Sequence, residues 1–198
     1  MTAYAAAYER TRGKPYAETF RCPGGEEWIA SFADLLAWLH AAGALAPRQI
    51  STLRTSAEGA PQAAERVWSR ALAFRETLAR VLLARAQGKS PDAGDLRALE
   101  AEYARTARYG RLASSEEGFR WTVDAQADEL ELALRPLVES AISLMTSARM
   151  ARLRRCGNDT CYWLFLDETK NCSRRWCEMA SCGNLMKVRR HRERHRHD

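Results

Sequence analysis

The sequence predicts a mainly α-helical protein, in which a helical N-terminal domain with a short β-hairpin precedes a small C-terminal α+β module. Apolar residues recur at helical spacing over most of residues 31–149. One stretch, 108–123, breaks that spacing, and five of the six cysteines fall within residues 156–182. We place the domain boundary near Arg149, which divides the chain into 1–149 and 150–198.

Four helices are expected in residues 31–103. Ser31 is the predicted N-cap of the first, and its apolar face consists of Phe32, Leu35, Leu36 and Leu39. A short helix follows Pro47, and Pro61 opens the third and most periodic helix. Ser90 and Pro91 are the expected N-cap and first-turn pair of the fourth.

The segment Arg108–Val123 predicts two short strands, because aromatic and β-branched residues flank a Ser/Glu/Gly turn. A long helix is expected from about Ala127 to Arg149. Pro136 lies inside this helix and is expected to kink it or divide it.

Composition excludes several functional classes. The sequence has no apolar run near the 18 or so residues that a membrane span needs, and its first 20 residues show no secretory signal, so cytoplasm is the expected compartment. It also has no Ser/His/Asp grouping, glycine-rich phosphate loop or evident carboxylate pair. We therefore expect a protein that is not an enzyme.

The positive charge is concentrated in the C-terminal module. Residues 1–148 contain 18 basic and 19 acidic residues, whereas residues 149–198 contain 13 and 6. All of the net charge of +6 therefore accompanies the cysteines, which favours a partner rich in phosphate.

The cysteines have the spacing of a metal site. Cys156-x4-Cys161 and Cys177-x4-Cys182 are two close pairs separated by fifteen residues, which suits tetrahedral zinc. Four thiolates close the coordination sphere, so we expect one structural Zn²⁺. Accidental core thiols are the alternative, and disulfides are disfavoured in a reducing compartment. Cys172, between the pairs, is expected to be an unliganded surface or partly buried thiol.

The fold expected around this zinc is treble-clef-like. "YWLFLDE" is a predicted strand, "TKN" a turn and "SRRW" the returning strand that delivers Cys177. "GNLMKVRRHRERHR" predicts a helix whose N-terminus follows Cys182. His191, His195 and His197 could ligate metal, but the alternative of solvated residues on a basic helix is preferred. Cys22 is expected to be a small packing residue in a turn-rich lead-in.

Residues from about 153 to 196 closely resemble the bacterial CGNR-type zinc finger, through "RRC", "WLFLD", "SRRWC", "CGN" and "RRH". That family has an N-terminal helical domain called ABATE, to which "DLLAWLHAAGAL" and "LRPLVESAISLMTSARMARLRRC" are similar. The resemblance implies a stress-related transcription regulator with ligands Cys156, Cys161, Cys177 and Cys182. Two features depart from the family. Leu185 replaces the signature arginine, and the usual strand-like motif is not evident before Ser31.

Basic residues around the proposed zinc site predict a DNA-binding face. The candidate contacts are Arg154, Arg155, Arg174, Arg175, Lys187, Arg189, Arg190, Arg192, Arg194 and Arg196. Non-specific nucleic-acid binding and a protein-interaction adaptor are the alternatives. A homodimer and a small-molecule or protein effector are further candidate partners. Ligand sensing by the helical domain would use an aromatic pocket formed by Trp38, Trp68, Phe74 and Trp121.

Overall fold

The computed structural model describes residues 27, 29–123, 129–161 and 163–195. The turn-rich lead-in with Cys22, the start of the predicted long helix at Ala127, Arg196 and His197 lie outside the described residues. Among the helices of the described ranges, none is both long and apolar enough to cross a lipid bilayer.

The order of elements confirms the predicted mainly helical class with a hairpin and a small α+β module. The helices are α1 (Phe32–Ala41), α2 (Pro47–Gly59), α3 (Pro61–Ala86), α4 (Ala93–Ala107), α5 (Arg135–Met145) and α6 (Asn184–Arg194). The strands are β1 (Gly110–Ser115), β2 (Gly118–Val123), β3 (Leu153–Arg155) and β4 (Leu164–Leu166). Two 3-10 helices, Leu130–Leu134 and Ala148–Arg152, flank α5, and a π-helical turn, Met179–Gly183, precedes α6.

The start of α1 is confirmed and the start of α4 needs a correction. Ser31 caps α1, its hydroxyl oxygen accepting from the Asp34 amide at 3.1 Å. For α4 the N-cap is Asp92 and not Ser90. The Asp92 carboxylate accepts from the amides of Gly94 and Asp95 at 2.7 and 3.1 Å. An aspartate that satisfies two free amides is a strong cap, so the helix starts two residues later than predicted.

The predicted hairpin is confirmed. β1 and β2 pair antiparallel from Gly110↔Val123 to Ser115↔Gly118. The connecting loop is Glu116-Glu117, and Gly118 closes it with φ +124°, a conformation that glycine adopts without strain.

The long helix expected over 127–149 is divided, which is one of the two outcomes predicted for Pro136. It also ends earlier than predicted. Pro136 lies in the first turn of α5, where its missing N–H costs no hydrogen bond. The helix stops at Met145, and the hydroxyls of Thr146 and Ser147 donate back to the carbonyls of Ile142 and Leu144 at 2.8 Å at this end. Arg149 therefore lies in a separate 3-10 helix.

Two apolar cores lie side by side along α3. The first half of α3 faces a core formed with α1, α2 and the first 3-10 helix, which includes Leu35, Leu36, Leu39, Leu53, Val67, Tyr109, Leu132 and Leu134. The second half faces a core formed with α4, α5 and β3, which includes Phe74, Leu78, Val81, Leu82, Leu99, Val138, Ala141 and Leu153. Because Leu153 belongs to β3, the C-terminal module packs on the helical domain. The boundary near Arg149 stays a prediction.

The second strand predicted for the module is wrong. β4 pairs antiparallel with β3, from Leu153↔Leu166 to Arg155↔Leu164, and not with "SRRW". The buried Asp167 prevents that pairing. Its carboxylate accepts from the Thr169 amide and hydroxyl at 3.0 and 2.6 Å, and from the Arg174 amide at 2.9 Å. These bonds, led by the one from the Thr169 hydroxyl, lower the pKa of Asp167 and fold residues 167–174 into a loop.

One buried cation closes the helical domain. Arg135 is 4% exposed, and its guanidinium donates to the carbonyls of Thr106 and Ala107 at 2.9 and 3.2 Å and to Glu139. It thereby caps the C-terminal end of α4, where carbonyls lack helical partners and cations are favoured.

Replacing Arg135 with Leu should lower the free energy of unfolding by roughly 2–4 kcal/mol, because two carbonyls near the end of α4 lose their donor. Urea denaturation of the zinc-loaded protein measures this change. Arg105→Leu is the matched control, since among the described residues that half-exposed guanidinium pairs with Glu102 alone, and its loss should cost under about 1 kcal/mol. Equal losses in the two variants would contradict the capping role.

Candidate metal centre

Four cysteine sulfurs converge at one point of the module. The Sγ atoms of Cys156, Cys161, Cys177 and Cys182 all lie within 4.8 Å of one another. Cys161 Sγ is 3.8 Å from Cys177 Sγ, which is 3.6 Å from Cys182 Sγ. Sulfurs bound tetrahedrally at about 2.3 Å from zinc are separated by about 3.8 Å, whereas a disulfide bond is about 2.05 Å long. The four predicted ligands therefore fit one tetrahedral metal ion.

The β3–β4 hairpin brings the first pair together. Cys156 directly follows β3, and its amide donates to the carbonyl of Trp163 at 2.9 Å, which continues the strand pairing by one residue. Between Cys156 and Cys161 the chain turns tightly, and the Cys161 amide donates to the Asn158 carbonyl at 2.9 Å. This knuckle holds both thiols at the end of the hairpin, with Cys156 3% and Cys161 7% exposed.

The second pair comes from a loop and a helix start. The Cys177 amide points at Cys156 Sγ at 3.5 Å, and the Gly157 amide donates to the Arg175 carbonyl at 2.8 Å. These two bonds tie the two knuckles together. Cys182 lies in the π-helical turn immediately before α6, which agrees with the prediction that a helix N-terminus follows the last ligand.

Trp176 packs against the glycine that follows a ligand in each knuckle. A Cβ on Gly157 would lie 3.1 Å from the Trp176 ring and 3.1 Å from the Arg175 carbonyl oxygen. A Cβ on Gly183 would lie 3.1 Å from the same ring and 2.4 Å from the sulfur of Met179. A side chain at either position would therefore have to displace the indole or its neighbours.

Asn158 forms a hydrogen bond to the sulfur cluster. Its side chain is buried, its amide nitrogen donates to Cys182 Sγ at 3.5 Å, and its oxygen accepts from the Thr160 amide and hydroxyl at 3.3 and 3.1 Å. An N–H directed at a sulfur stabilises the thiolate form that a metal requires.

The thiols differ in their tendency to ionise. Burial raises the pKa of Cys161 to about 12, and burial also raises the pKa of Cys177. Burial opposes ionisation of Cys182 too, but hydrogen bonds led by the one from Asn158 outweigh it and lower its pKa. Close contact between the sulfurs and burial of two of them disfavour several thiolates together, and a bound divalent metal would offset their charge.

Other candidate ligands lie away from this centre. Cys172 is exposed, with φ +48°, and is not among the clustered cysteines, as expected for an unliganded surface thiol. His191 and His195 are exposed on α6 and its C-cap, with ring centroids 4.3 Å apart. Leu185, at the signature arginine position, is 45% exposed in the first turn of α6.

The predicted DNA-contacting residues fall into two groups. Four belong to the β3–β4 and loop region, and their guanidinium groups bond within the module. Arg174 donates to the carbonyls of Trp176 and Cys177 and lies over the Phe165 ring, while Arg175 lies over the Trp176 ring. Arg154 donates to the Ala151 and Leu153 carbonyls, and Arg155 donates to the Asp159 carbonyl. The second group is exposed on α6 and consists of Lys187, Arg189, Arg190, Arg192 and Arg194.

Sequence reasoning missed Asn158, Trp176 and Asp167. One signal could have revealed the first, because the tripeptide Cys-Gly-Asn occurs twice, at 156–158 and at 182–184. In each copy the glycine packs against Trp176 and the asparagine side chain donates a hydrogen bond to a nearby polar atom. Asn184 donates to the Ala180 carbonyl at 3.2 Å.

Family comparisons agree with this architecture. A family model described as CGNR zinc finger matches residues 152–195. A second model, named ABATE and described as "putative stress-induced transcription regulator", matches residues 15–148, well over half of the chain. A search of curated proteins finds no match.

Replacing Cys177 with Ser should abolish zinc binding and unfold the module, because the metal supplies an apparent 10–16 kcal/mol or so to folding in comparable fingers. Native mass spectrometry for zinc content and circular dichroism measure the two effects. Cys172→Ser is the control and should retain one zinc equivalent. A Cys177→Ser variant with a full zinc equivalent and unchanged folding would contradict the ligand set.

Replacing Asn158 with Ala should weaken zinc affinity by about 10- to 100-fold, because the cluster loses the N–H that faces Cys182. Competition against a chromogenic chelator measures this affinity. Asn171→Ala removes an exposed amide of the same module and should leave the affinity unchanged. Equal affinities in the two variants would assign Asn158 no role at the metal.

Proposed function

The chain belongs to the ABATE family and carries a CGNR zinc finger, and from that premise we propose that it is a transcription regulator that binds DNA through α6. One observation supports this most strongly. Five basic side chains are exposed on a single 11-residue helix that starts immediately after a metal ligand. An exposed basic helix next to a zinc site is a recurrent arrangement for docking in a DNA groove.

The position of α6 supports the proposal. In the part of the chain that the structure describes, the extensive contacts of α6 are with the π-helical turn that contains Cys182. No residue of α6 is buried, and the only acidic residue among its eleven is Glu193. The helix therefore extends from the metal centre with most of its circumference accessible, as entry into a groove requires.

The arginines of the loop region have a different role in this proposal. Because Arg174 bonds to the backbone of Trp176 and Cys177, it shapes the second knuckle. Arg175 covers the Trp176 ring at 5.4 Å from its centroid. We propose that these two arginines mainly stabilise the metal centre and attract phosphate only as a secondary effect. We assign the main DNA contacts to α6.

The metal has a structural role in this proposal. Four thiolates would hold Zn²⁺ with no position left for a substrate or water, so we propose no catalytic step. Its contribution when bound is to fix the two knuckles and the start of α6. We place the protein in the bacterial cytoplasm, where reduced thiols are available for the metal.

The helical domain is proposed to receive a small-molecule or protein effector, although not through the predicted aromatic pocket. Trp38 and Trp68 pack at the first core, and Phe74 is buried in the second. Trp121 is 71% exposed on the hairpin. Four side chains so distributed do not line one cavity, so an effector would bind elsewhere on this domain.

A protein-interaction adaptor remains the second candidate function, because α6 also exposes apolar side chains. Leu185 and Val188 are 45% and 46% exposed and lie three residues apart, hence on one side of the helix. Apolar residues between arginines are suited to a protein partner as well as to thymine methyl groups. Binding to DNA therefore has to be measured directly.

Replacing Arg189, Arg190 and Arg192 together with Gln should weaken DNA binding at least about tenfold near 150 mM salt and reduce the slope of log Kd against log salt by up to about 3. Fluorescence anisotropy of the zinc-loaded protein on labelled duplex measures both quantities. The duplex is chosen by sequencing genomic fragments retained by the wild-type protein.

The control removes the same charge from the helical domain, by replacing the exposed Arg48, Arg54 and Arg66 with Gln. If both triple variants lose affinity equally, binding is non-specific attraction to net charge. If the wild-type protein retains no fragment and the α6 variant loses a captured protein instead, the adaptor function replaces the DNA-binding one.

A further inference from the structure

The four sulfurs of the metal centre differ in their exposure to solvent. Cys156 and Cys161 are buried, at 3% and 7% exposed, whereas Cys177 and Cys182 are both partly exposed. An open cleft of about 480 Å³ is lined by residues 173–179, which include Cys177. Neither Cys156 nor Cys161 lines this cleft. A small solute can therefore approach the cluster on the side of the second cysteine pair.

The second pair is also held less firmly than the first. Cys156 continues the strand pairing by its 2.9 Å bond to the Trp163 carbonyl, and Asn158 is buried between the two cysteines of its knuckle. In the second knuckle the four residues between the cysteines, 178–181, are all exposed. Movement within this segment therefore displaces no buried side chain.

The sulfur distances allow two disulfides that involve Cys177. Its Sγ atom lies 3.6 Å from Cys182 Sγ and 3.8 Å from Cys161 Sγ. Because a disulfide bond is about 2.05 Å long, either pair of sulfurs would have to approach by less than about 2 Å. Distance does not separate the two pairings. Exposure does, because both sulfurs of the 177–182 pair are partly exposed and Cys161 is buried.

We propose that Cys177 and Cys182 form an oxidation site for hydrogen peroxide, at which a disulfide replaces their two bonds to the metal. The thiolate of one cysteine attacks a peroxide oxygen, the O–O bond breaks, and the departing hydroxide takes up a proton, which leaves a sulfenic acid and water. The other thiolate then attacks that sulfur. The S–S bond forms, the S–O bond breaks, and the second hydroxide takes up a second proton. The two thiolates lose two electrons, and peroxide becomes two molecules of water.

This disulfide would release the metal and α6 together. Only Cys156 and Cys161 would remain as ligands, and two thiolates do not complete a tetrahedral zinc site. The extensive contacts of α6 in the described chain are with the turn that contains Cys182, so α6 would lose the metal that ties it to the β3–β4 hairpin. A resulting loss of DNA binding rests on the proposed function, whereas the oxidation site itself does not.

Trypsin separates the competing disulfides, because basic residues lie between the cysteine pairs. Cys177 and Cys182 share the peptide 176–187, Cys156 and Cys161 share the peptide 156–170, and Cys172 lies alone in 171–174. The zinc-loaded full chain is treated with hydrogen peroxide, alkylated and digested without reduction. A disulfide within one peptide removes two hydrogens and blocks alkylation, whereas oxidation of a methionine adds oxygen. Mass spectrometry therefore identifies each product.

The disulfide within peptide 176–187 is expected to form in step with the zinc that a chromogenic chelator detects. At half release of zinc, this disulfide should exceed the one within peptide 156–170 at least about tenfold, because accessible thiolates are oxidised first. A dithiol reductant and added zinc should restore one zinc equivalent. Cys172→Ser is the matched control and should release zinc at the wild-type rate.

Cys172 is an exposed reference thiol outside the cluster. Oxidation of Cys172 while the zinc stays bound and peptide 176–187 stays reduced would overturn the proposal. So would a first disulfide that lies within peptide 156–170, that joins this peptide to 176–187, or that requires Cys172. The DNA arm is separate, since a protein that binds no DNA before oxidation contradicts the proposed function and leaves the disulfide result standing.

Discussion

Convergence of four sulfurs on one metal ion is the constraint on which the C-terminal module depends. The module has little apolar core of its own, because β3 and β4 span three residues each and no residue of α6 is buried. Its segments meet at Cys156, Cys161, Cys177 and Cys182. The bonds around the sulfurs, including the one from Asn158, orient the chain but cannot neutralise four thiolates, two of which are buried. We therefore expect folding and metal binding to be one process.

In the described residues, the β3–β4 hairpin joins the metal centre to the helical domain. One side of β3 contributes Leu153 to the second core, and the residue after this strand is the ligand Cys156. Leu153 in this core and the ligand Cys156 are therefore only three residues apart. An effector bound to the helical domain could change the position of α6 by this short route, which gives the proposed regulator a physical connection between its two parts.

Local patterns in the sequence determined the helices, the hairpin and the four candidate ligands, because periodicity, caps and cysteine spacing depend on neighbouring residues. Tertiary structure decided what depends on distant contacts. Asp167 binds the amide of Arg174 across seven positions, which converts a predicted strand into a loop and leaves β3 as the partner of β4. Likewise only the fold places Trp176 between Gly157 and Gly183, and only the fold leaves Trp121 uncovered, since packing between distant segments has no local signature.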